Sequence, residues 1–297
     1  MKRKFNKLPA DVKLERIRYD GRYYTLLENV TESMALRAVK KNGSIIEYIK
    51  NPSKKVQMAA VRQNSDSIEW IENPCEEAQL IAVRDNGFII EYIKNPTDKV
   101  KFAAVSRYPS CIFKFKNPSK EIQIEAVKHD PSVIEWIENP CEEVQLMAIT
   151  KQPDIIEYID DPTPKAQLKA VKLDTTSIQY IENPTEKVQL YVINEEEDLL
   201  YYIKNPTKKV QYKAIKLGSY TIGFIENPSS DLQYQALKDY LPCIERIKNQ
   251  SVRALQRIIK ESNDLDLDFY NGIKVKLPVK TMELLRLKLS MNGFNVE

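Results

Sequence analysis

Apolar and polar residues along this chain recur with a fixed period. Asn-Pro or Asp-Pro begins at Asn51, Asn73, Asn95, Asn117, Asn139, Asp161, Asn183, Asn205 and Asn227, every interval being 22. The phase extends outward. Asn29 and Asn249 hold the same place without proline, and one more unit fits at Lys7–Glu28, where Asp20-Gly21 matches Asn42-Gly43. Twelve units therefore run from Lys7 to Tyr270. A period of this size marks a solenoid or an array, in which one supersecondary unit is stacked on its copies.

Within the unit, numbered from the Asn, apolar residues at positions 6, 10 and 11 share one face of a helix of roughly three turns. Positions 17, 18 and 21 form the apolar face of a second helix of under two turns, too short to persist alone. Asn at position 1 with Pro at position 2 reads as an N-cap with Pro at N1. Position 14 supplies a second cap in Asp20, Asn42, Asn64, Asn86, Asp130 and Asp174, and Pro109, Pro131 and Pro153 follow it in three units. Position 10 is Ala in nine units, including Ala60, Ala104, Ala126 and Ala170. A small residue there lets successive long helices approach closely, and with neighbours roughly 9–10 Å apart the stack would be a curved rod on the order of 100 Å long.

The run NPxxxVQxxAVxxNxxxIxYI resembles variant leucine-rich and HEAT-like helical repeats, and also the short repeats of many uncharacterised phage and bacterial proteins. The resemblance covers about nine-tenths of the chain. It implies an all-α fold, an α-solenoid (right-handed superhelix) of about twelve two-helix repeats, used as a binding scaffold. By analogy it also suggests a phage-encoded protein acting on a host or defence factor. Residues 1–6 read as a basic N-terminal tail, 7–270 as the solenoid and 271–297 as a C-terminal cap or, alternatively, a docking segment. In that last stretch Ile273, Val275, Leu277 and Val279 alternate as in a short strand, and Thr281–Met291 reads as a helix ended by Asn292-Gly293.

Composition narrows the chemistry. Lys+Arg 45 against Asp+Glu 42 leaves no strong net field to draw in nucleic acid. The four cysteines, Cys75, Cys111, Cys141 and Cys243, are widely spaced, which argues against a zinc site or disulfide framework and fits a reducing, cytoplasmic setting. No stretch approaches the roughly 18 apolar residues of a membrane span, and the basic N-terminus has no apolar run behind it, so it is not a signal peptide. The only histidine, His129, occupies a variable position that reads as solvated, and no phosphate-binding loop, dinucleotide motif or HExxH is present. The expectation is a protein with no enzymatic activity, cofactor or metal.

Three rows of side chains run along the repeat. Gln at position 7 (Gln57, Gln79, Gln123, Gln145, Gln167, Gln189, Gln211, Gln233) can satisfy backbone groups in the turns of adjacent units; its uniformity favours that ladder over a binding stripe. Position 12 is basic in nine units, from Arg18 to Lys260, which either complements the helix dipole or tracks phosphates. A recurring Glu at position 19 (Glu47, Glu69, Glu91, Glu135, Glu157, Glu245) speaks against the second use. Position 20 is aromatic in Tyr48, Trp70, Tyr92, Trp136, Tyr158, Tyr180, Tyr202 and Phe224. Such rings either pack half-buried or anchor a partner.

Departures from the consensus sharpen the functional question. The unit 95–116 carries five basic residues against Asp98, a net +4, between units of −2, −3 and −4. Its Lys101, Arg107, Tyr108, Phe113, Lys114 and Lys116 form a basic, aromatic-interleaved candidate site, unless its lysines are neutralised by acids one unit away. The region 191–240 gathers Tyr191, Tyr201, Tyr202, Tyr212, Tyr220, Tyr234 and Tyr240, a composition suited to binding, and replaces the position-14 cap by Gly218 and the position-19 acid by Gly223, a pair that reads alternatively as a bend. Together with Trp70, Tyr92, Trp136, Tyr158, Tyr202 and Tyr220, these residues point to a protein partner bound on one face. The alternative is a nucleic-acid-binding repeat protein using the position-12 row or the 95–116 patch.

Overall fold

The structure, a computed structural model, describes residues 2–27 and 30–294. They fall into two compact units, Met1–Lys151 and Gln152–Glu297. Both are all-α, with no strand among the described residues, and both repeat a ten-residue α-helix followed by a six-residue 3₁₀-helix. The first unit holds seven long helices, from Ala10–Tyr19 to Glu142–Lys151, and six short ones, from Gly21–Leu26 to Pro131–Trp136. The second holds five of each, its long helices running from Pro164–Leu173 to Val252–Glu261 and its short ones from Pro153–Tyr158 to Leu241–Arg246. Within each unit, consecutive long helices pack on one another and on the neighbouring short helices, giving the all-α solenoid arrangement that the period implies.

Position 14 does two jobs. The Asn64 N–H closes the long helix on the Ala60 carbonyl at 2.9 Å, and its side chain accepts the Asp66 N–H at 3.1 Å to open the short one. Asn42, Asn86, Asp130 and Asp174 repeat the bond at 2.9–3.1 Å. The short helix then runs on i→i+3 bonds, as from Ile71 N–H to the Ile68 carbonyl at 3.0 Å. At six residues these helices are longer than most 3₁₀ runs, whose hydrogen-bond geometry is poorer than that of an α-helix.

The Asn-Pro pair does not cap the long helix. The helix starts at position 4, and the cap is the Ser or Thr at position 3: Ser53, Thr97, Thr163, Thr207 and Ser229 each accept the N–H three residues on, at 3.3–3.4 Å. Asn and Pro instead form the turn between the helices, where Asn51 and Asn117 take φ of 49° and 50°, a left-handed conformation that Asn tolerates better than most residues. The position-2 carbonyl has a separate partner. Gln57 Nε2 donates to the Pro52 carbonyl at 3.0 Å while its Oε1 accepts the Cys75 N–H of the next repeat at 2.8 Å. Gln123, Gln167, Gln189 and Gln233 make the same double bond. The row is a structural ladder in which one amide ties two turns together, the kind of buried polar group that is retained because it is satisfied. It is broken around the 95–116 repeat. Gln79 Oε1 has no partner among the described residues, and Lys101 stands where the next glutamine belongs.

The core follows the pattern. Val56, Ala60, Val61, Ser67, Ile68 and Ile71 at positions 6, 10, 11, 17, 18 and 21 are buried, and so are most of their equivalents along both units, Met34, Ile49 and Phe115 being half-buried. Cys111 and Cys243 occupy position 17 of this core, and burial pushes both thiols up to about 12. Cys75 and Cys141 sit half-exposed at position 3. Titration of the native chain with a thiol reagent such as Ellman's should modify Cys75 and Cys141 quickly, with Cys111 and Cys243 reacting only after denaturant is added, since the thiolate is the reactive species. Rapid uniform labelling would mean that the core around position 17 is open.

The ends depart from the repeat. Lys2–Asn6 is a short helix whose Phe5 is buried against Tyr23, ring centroids 5.5 Å apart. After the last long helix, Leu267–Asn271 is α-helical and capped by Asp266. The alternation at 273–279 does not make a strand. Residues 273–278 are irregular, Leu277 alone of the four apolar positions is buried, and Val279 begins the helix Val279–Met291, ended by Asn292 and Gly293. The backbone is held by side chains instead. Gln250 Oε1 accepts the Lys274 N–H at 2.7 Å and its Nε2 donates to the Gly272 carbonyl at 2.6 Å. Lys288 Nζ donates to the carbonyls of Lys260 and Ser262, at the C-terminal end of the last long helix.

Candidate functional site

The short helices present the most distinctive surface. In a 3₁₀ turn residues three apart eclipse, so with 18 and 21 buried, positions 19 and 20 emerge at the end of each short helix. Trp70, Tyr92 and Trp136 in the first unit are 48%, 43% and 43% exposed. Tyr158, Tyr180 and Tyr202 in the second are similarly half-exposed. The rings are neither sealed in the core nor fully in water.

Positions 19 and 20 also meet across the joint between repeats. Phe113 at position 19 lies edge-on to Trp136 at position 20 of the next repeat, centroids 6.0 Å apart. Tyr201 meets Phe224 in the same way at 5.8 Å. Glu91 and Lys114 fill the same two places with an ion pair of 2.7 Å. A Cβ built on Gly223 would come within 3.0 Å of Arg246 Cβ, which shows how near the two positions lie.

The 95–116 candidates do not all come together. Arg107 lies over the Tyr108 ring at 5.9 Å, Phe88 joins Tyr108 to Phe113 with centroids 6.3 Å apart on each side, and Lys114 lies over the Phe113 ring at 4.7 Å. With Trp136 these side chains make one continuous surface strip. Lys101 is outside it, paired with Asp98 at 3.2 Å. Lys116 is exposed, with no ion pair among the described residues. Tyr108 is committed to the fold, its hydroxyl donating to the Asp85 carbonyl at 2.5 Å and its ring seated on Gly87. Lys99, Lys101 and Lys114 are all ion-paired, to Glu76, Asp98 and Glu91, so much of the repeat's positive charge is neutralised locally. Phe88, a residue at variable position 16, escaped the sequence reading. Its signal is an aromatic side chain at a position where, among the other repeats, Tyr220 alone is aromatic.

In the second unit, Tyr201, Tyr202, Tyr212 and Tyr240 are exposed, Tyr191 is half-buried, and Tyr234 is buried beneath Arg257, with its hydroxyl donating to Glu261 at 2.5 Å. Tyr220 is also committed to the fold. Its hydroxyl donates to Glu197 at 3.2 Å, Arg246 lies over its ring at 5.6 Å, and burial together with Asp198 pushes its phenol up to about 12. Gly218 marks no bend. Its φ of −154° and ψ of 109° match the caps of the other repeats, and it is glycine because a Cβ would meet the Tyr220 ring at 2.6 Å.

The position-12 cations lie exposed in the last turn of their helices, as in Arg62, Lys128 and Lys216, where they complement the helix dipole. His129 is partly exposed and bonded to Glu125 at 3.2 Å. No group of three His, Cys, Asp or Glu residues placed to hold a metal occurs among the described residues, and no helix there is long and apolar enough to cross a membrane. Comparison with known protein families, curated proteins and solved structures finds no match to this chain.

Proposed function

We propose that this chain is a non-enzymatic scaffold that binds a protein partner along the ring row of its short helices. The observation that carries this reading is the half-exposure of Trp70, Tyr92 and Trp136 at one position of the repeat. Each ring is held by a rigid helix and still offers apolar surface, so a partner gains contact at little cost in side-chain entropy. Trp and Tyr in such settings are the usual anchors of interfaces, truncation of a central one costing about 2 kcal/mol or more, or about thirtyfold in Kd.

Affinity capture from the source cell tests the reading, comparing the natural chain with a Trp70→Ala/Tyr92→Ala/Trp136→Ala variant of equal helicity. A protein retained by the natural chain should be lost from the variant. Equal retention by both, or recovery of nucleic acid alone, would overturn the reading.

A further inference from the structure

Near the start of the first unit the glutamine ladder is replaced by a cavity. Position 7 of the repeat beginning at residue 29 is Ala35, which is buried and has no side chain beyond Cβ. Elsewhere the amide at this position joins two fixed backbone groups, as Gln57 donates to the Pro52 carbonyl at 3.0 Å and accepts the Cys75 N–H at 2.8 Å. The corresponding groups at the Ala35 joint are the Val30 carbonyl and the Ser53 N–H, and neither has a partner among the described residues. Both residues line one cavity of about 590 Å³, together with Tyr24, Leu27, Ala35 and Tyr48. Its size is that of a small-molecule site.

Two further observations mark this joint. Tyr24 stands at position 18, where Ile46, Ile68 and Ile90 stand in later repeats; it is buried, and its hydroxyl has no partner among the described residues. Buried polar groups are normally bonded, so a hydroxyl is left over beside the two backbone groups. Asn51, which opens the receiving repeat, takes a φ of 49°. The other described non-glycine residue with a positive φ is Asn117, and it too follows a repeat without the glutamine, Lys101 standing in its place. Lys101 brings a long side chain, paired with Asp98 at 3.2 Å, whereas Ala35 brings a single methyl group.

We propose that this cavity binds a primary carboxamide, whose oxygen accepts the Ser53 N–H and whose NH₂ donates to the Val30 carbonyl, its apolar body lying against the Tyr24 and Tyr48 side chains. An N–H and a carbonyl that one amide spans in other repeats select a group that accepts and donates at once. A ketone or a carboxylate accepts only and leaves the carbonyl without a donor. A free compound and the glutamine of a peptide both present this chemistry. The site does not depend on where along the ring row a protein docks.

Benzamide is the first probe, titrated against the full chain and followed by backbone amide resonances. Acetophenone, which keeps the shape and cannot donate, is its control. Benzamide should shift the Ser53 resonance and bind about tenfold more tightly than acetophenone, the factor for roughly one hydrogen bond. Acetyl-Ala-Gln-Ala N-methylamide tests the peptide source in the same way against its Glu counterpart. Selective binding of either probe supports the site, and the tighter of the two names the source. Ala35→Gln supplies the amide from within, so it should raise the melting temperature by about 2–4 °C and abolish binding of both probes. Absence of binding, equal affinity within both probe–control pairs, shifts that spare Ser53, or binding undiminished in folded Ala35→Gln would each overturn the proposal.

Discussion

Replacing Gln233 by leucine is expected to cost about 3 kcal/mol of stability. The buried amide donates to the Pro228 and Asn249 carbonyls, both at 2.9 Å, and accepts the Ser251 N–H at 2.7 Å. Leucine has a similar volume and removes all three bonds, leaving an N–H and two carbonyls at the joint without their partner. Each buried group left unsatisfied costs about 1–3 kcal/mol, offset in part by the apolar replacement. Gln211 provides the comparison. It is less buried, and among the described residues its side chain makes one backbone bond, to the Pro206 carbonyl at 2.9 Å, so its leucine variant should lose roughly 1 kcal/mol. Urea denaturation followed by circular dichroism gives both values. Hydrogen exchange at the Ser251 amide should rise in the first variant alone. If Gln233→Leu unfolds within about 0.5 kcal/mol of the natural chain, the ladder contributes shape rather than stability.

The second large effect is at position 10. Ala170 is fully buried where successive long helices pack, and one repeat later the same position holds Val192, also fully buried. The seat tolerates two additional methyl groups when its surroundings are built for them. Ala170→Val should therefore cost at most about 1.5 kcal/mol, and Ala170→Leu about 3 kcal/mol or more, because overpacking forces strained rotamers or a shift of backbone. Thermal melts of the two variants decide the matter. Similar melting temperatures would show that the helices separate freely to admit the larger group.

Much of this architecture is readable before any coordinate is known, because each repeat is under the same local constraints. Asn64 and its equivalents cap because a short polar side chain before an apolar helix face has few other uses. Positions 6, 10, 11, 17, 18 and 21 are buried because only those spacings share a face. What escapes the reading is what depends on the neighbouring repeat. Asn-Pro and the following Ser or Thr are both competent starts for the long helix, and the fold uses the latter, even in the 95–116 repeat where Lys101 replaces the glutamine. The short helix adopts 3₁₀ rather than α geometry, and apolar residues at 17, 18 and 21 suit either. Alternation at 273–279 mimics a strand, yet there is no partner strand among the described residues, and Gln250 supplies backbone bonds instead. At the candidate surface the exposure of the position-20 rings could not be fixed from sequence, since half-buried and outward rings share one pattern. Tyr108 and Tyr220 looked like free anchors, although their hydroxyls are bound within the fold.

The glutamine joint also bears on how such a chain can change over generations. On the receiving repeat it touches main-chain atoms alone, the N–H of position 3 and in places the carbonyl of position 1. A joint that reads only backbone is indifferent to which repeat follows it. Slippage or unequal recombination in whole multiples of the period would leave a reading frame whose new junction is already compatible, so copy number can drift without a search for compensating substitutions. The exceptions are seams written in side chains, among them Tyr108 seated on Gly87, Lys114 on Glu91, Phe113 against Trp136, and the unmatched amide of Gln79. Those repeats are bound to their present neighbours, and a lineage that shuffles the rest would be expected to carry that block intact.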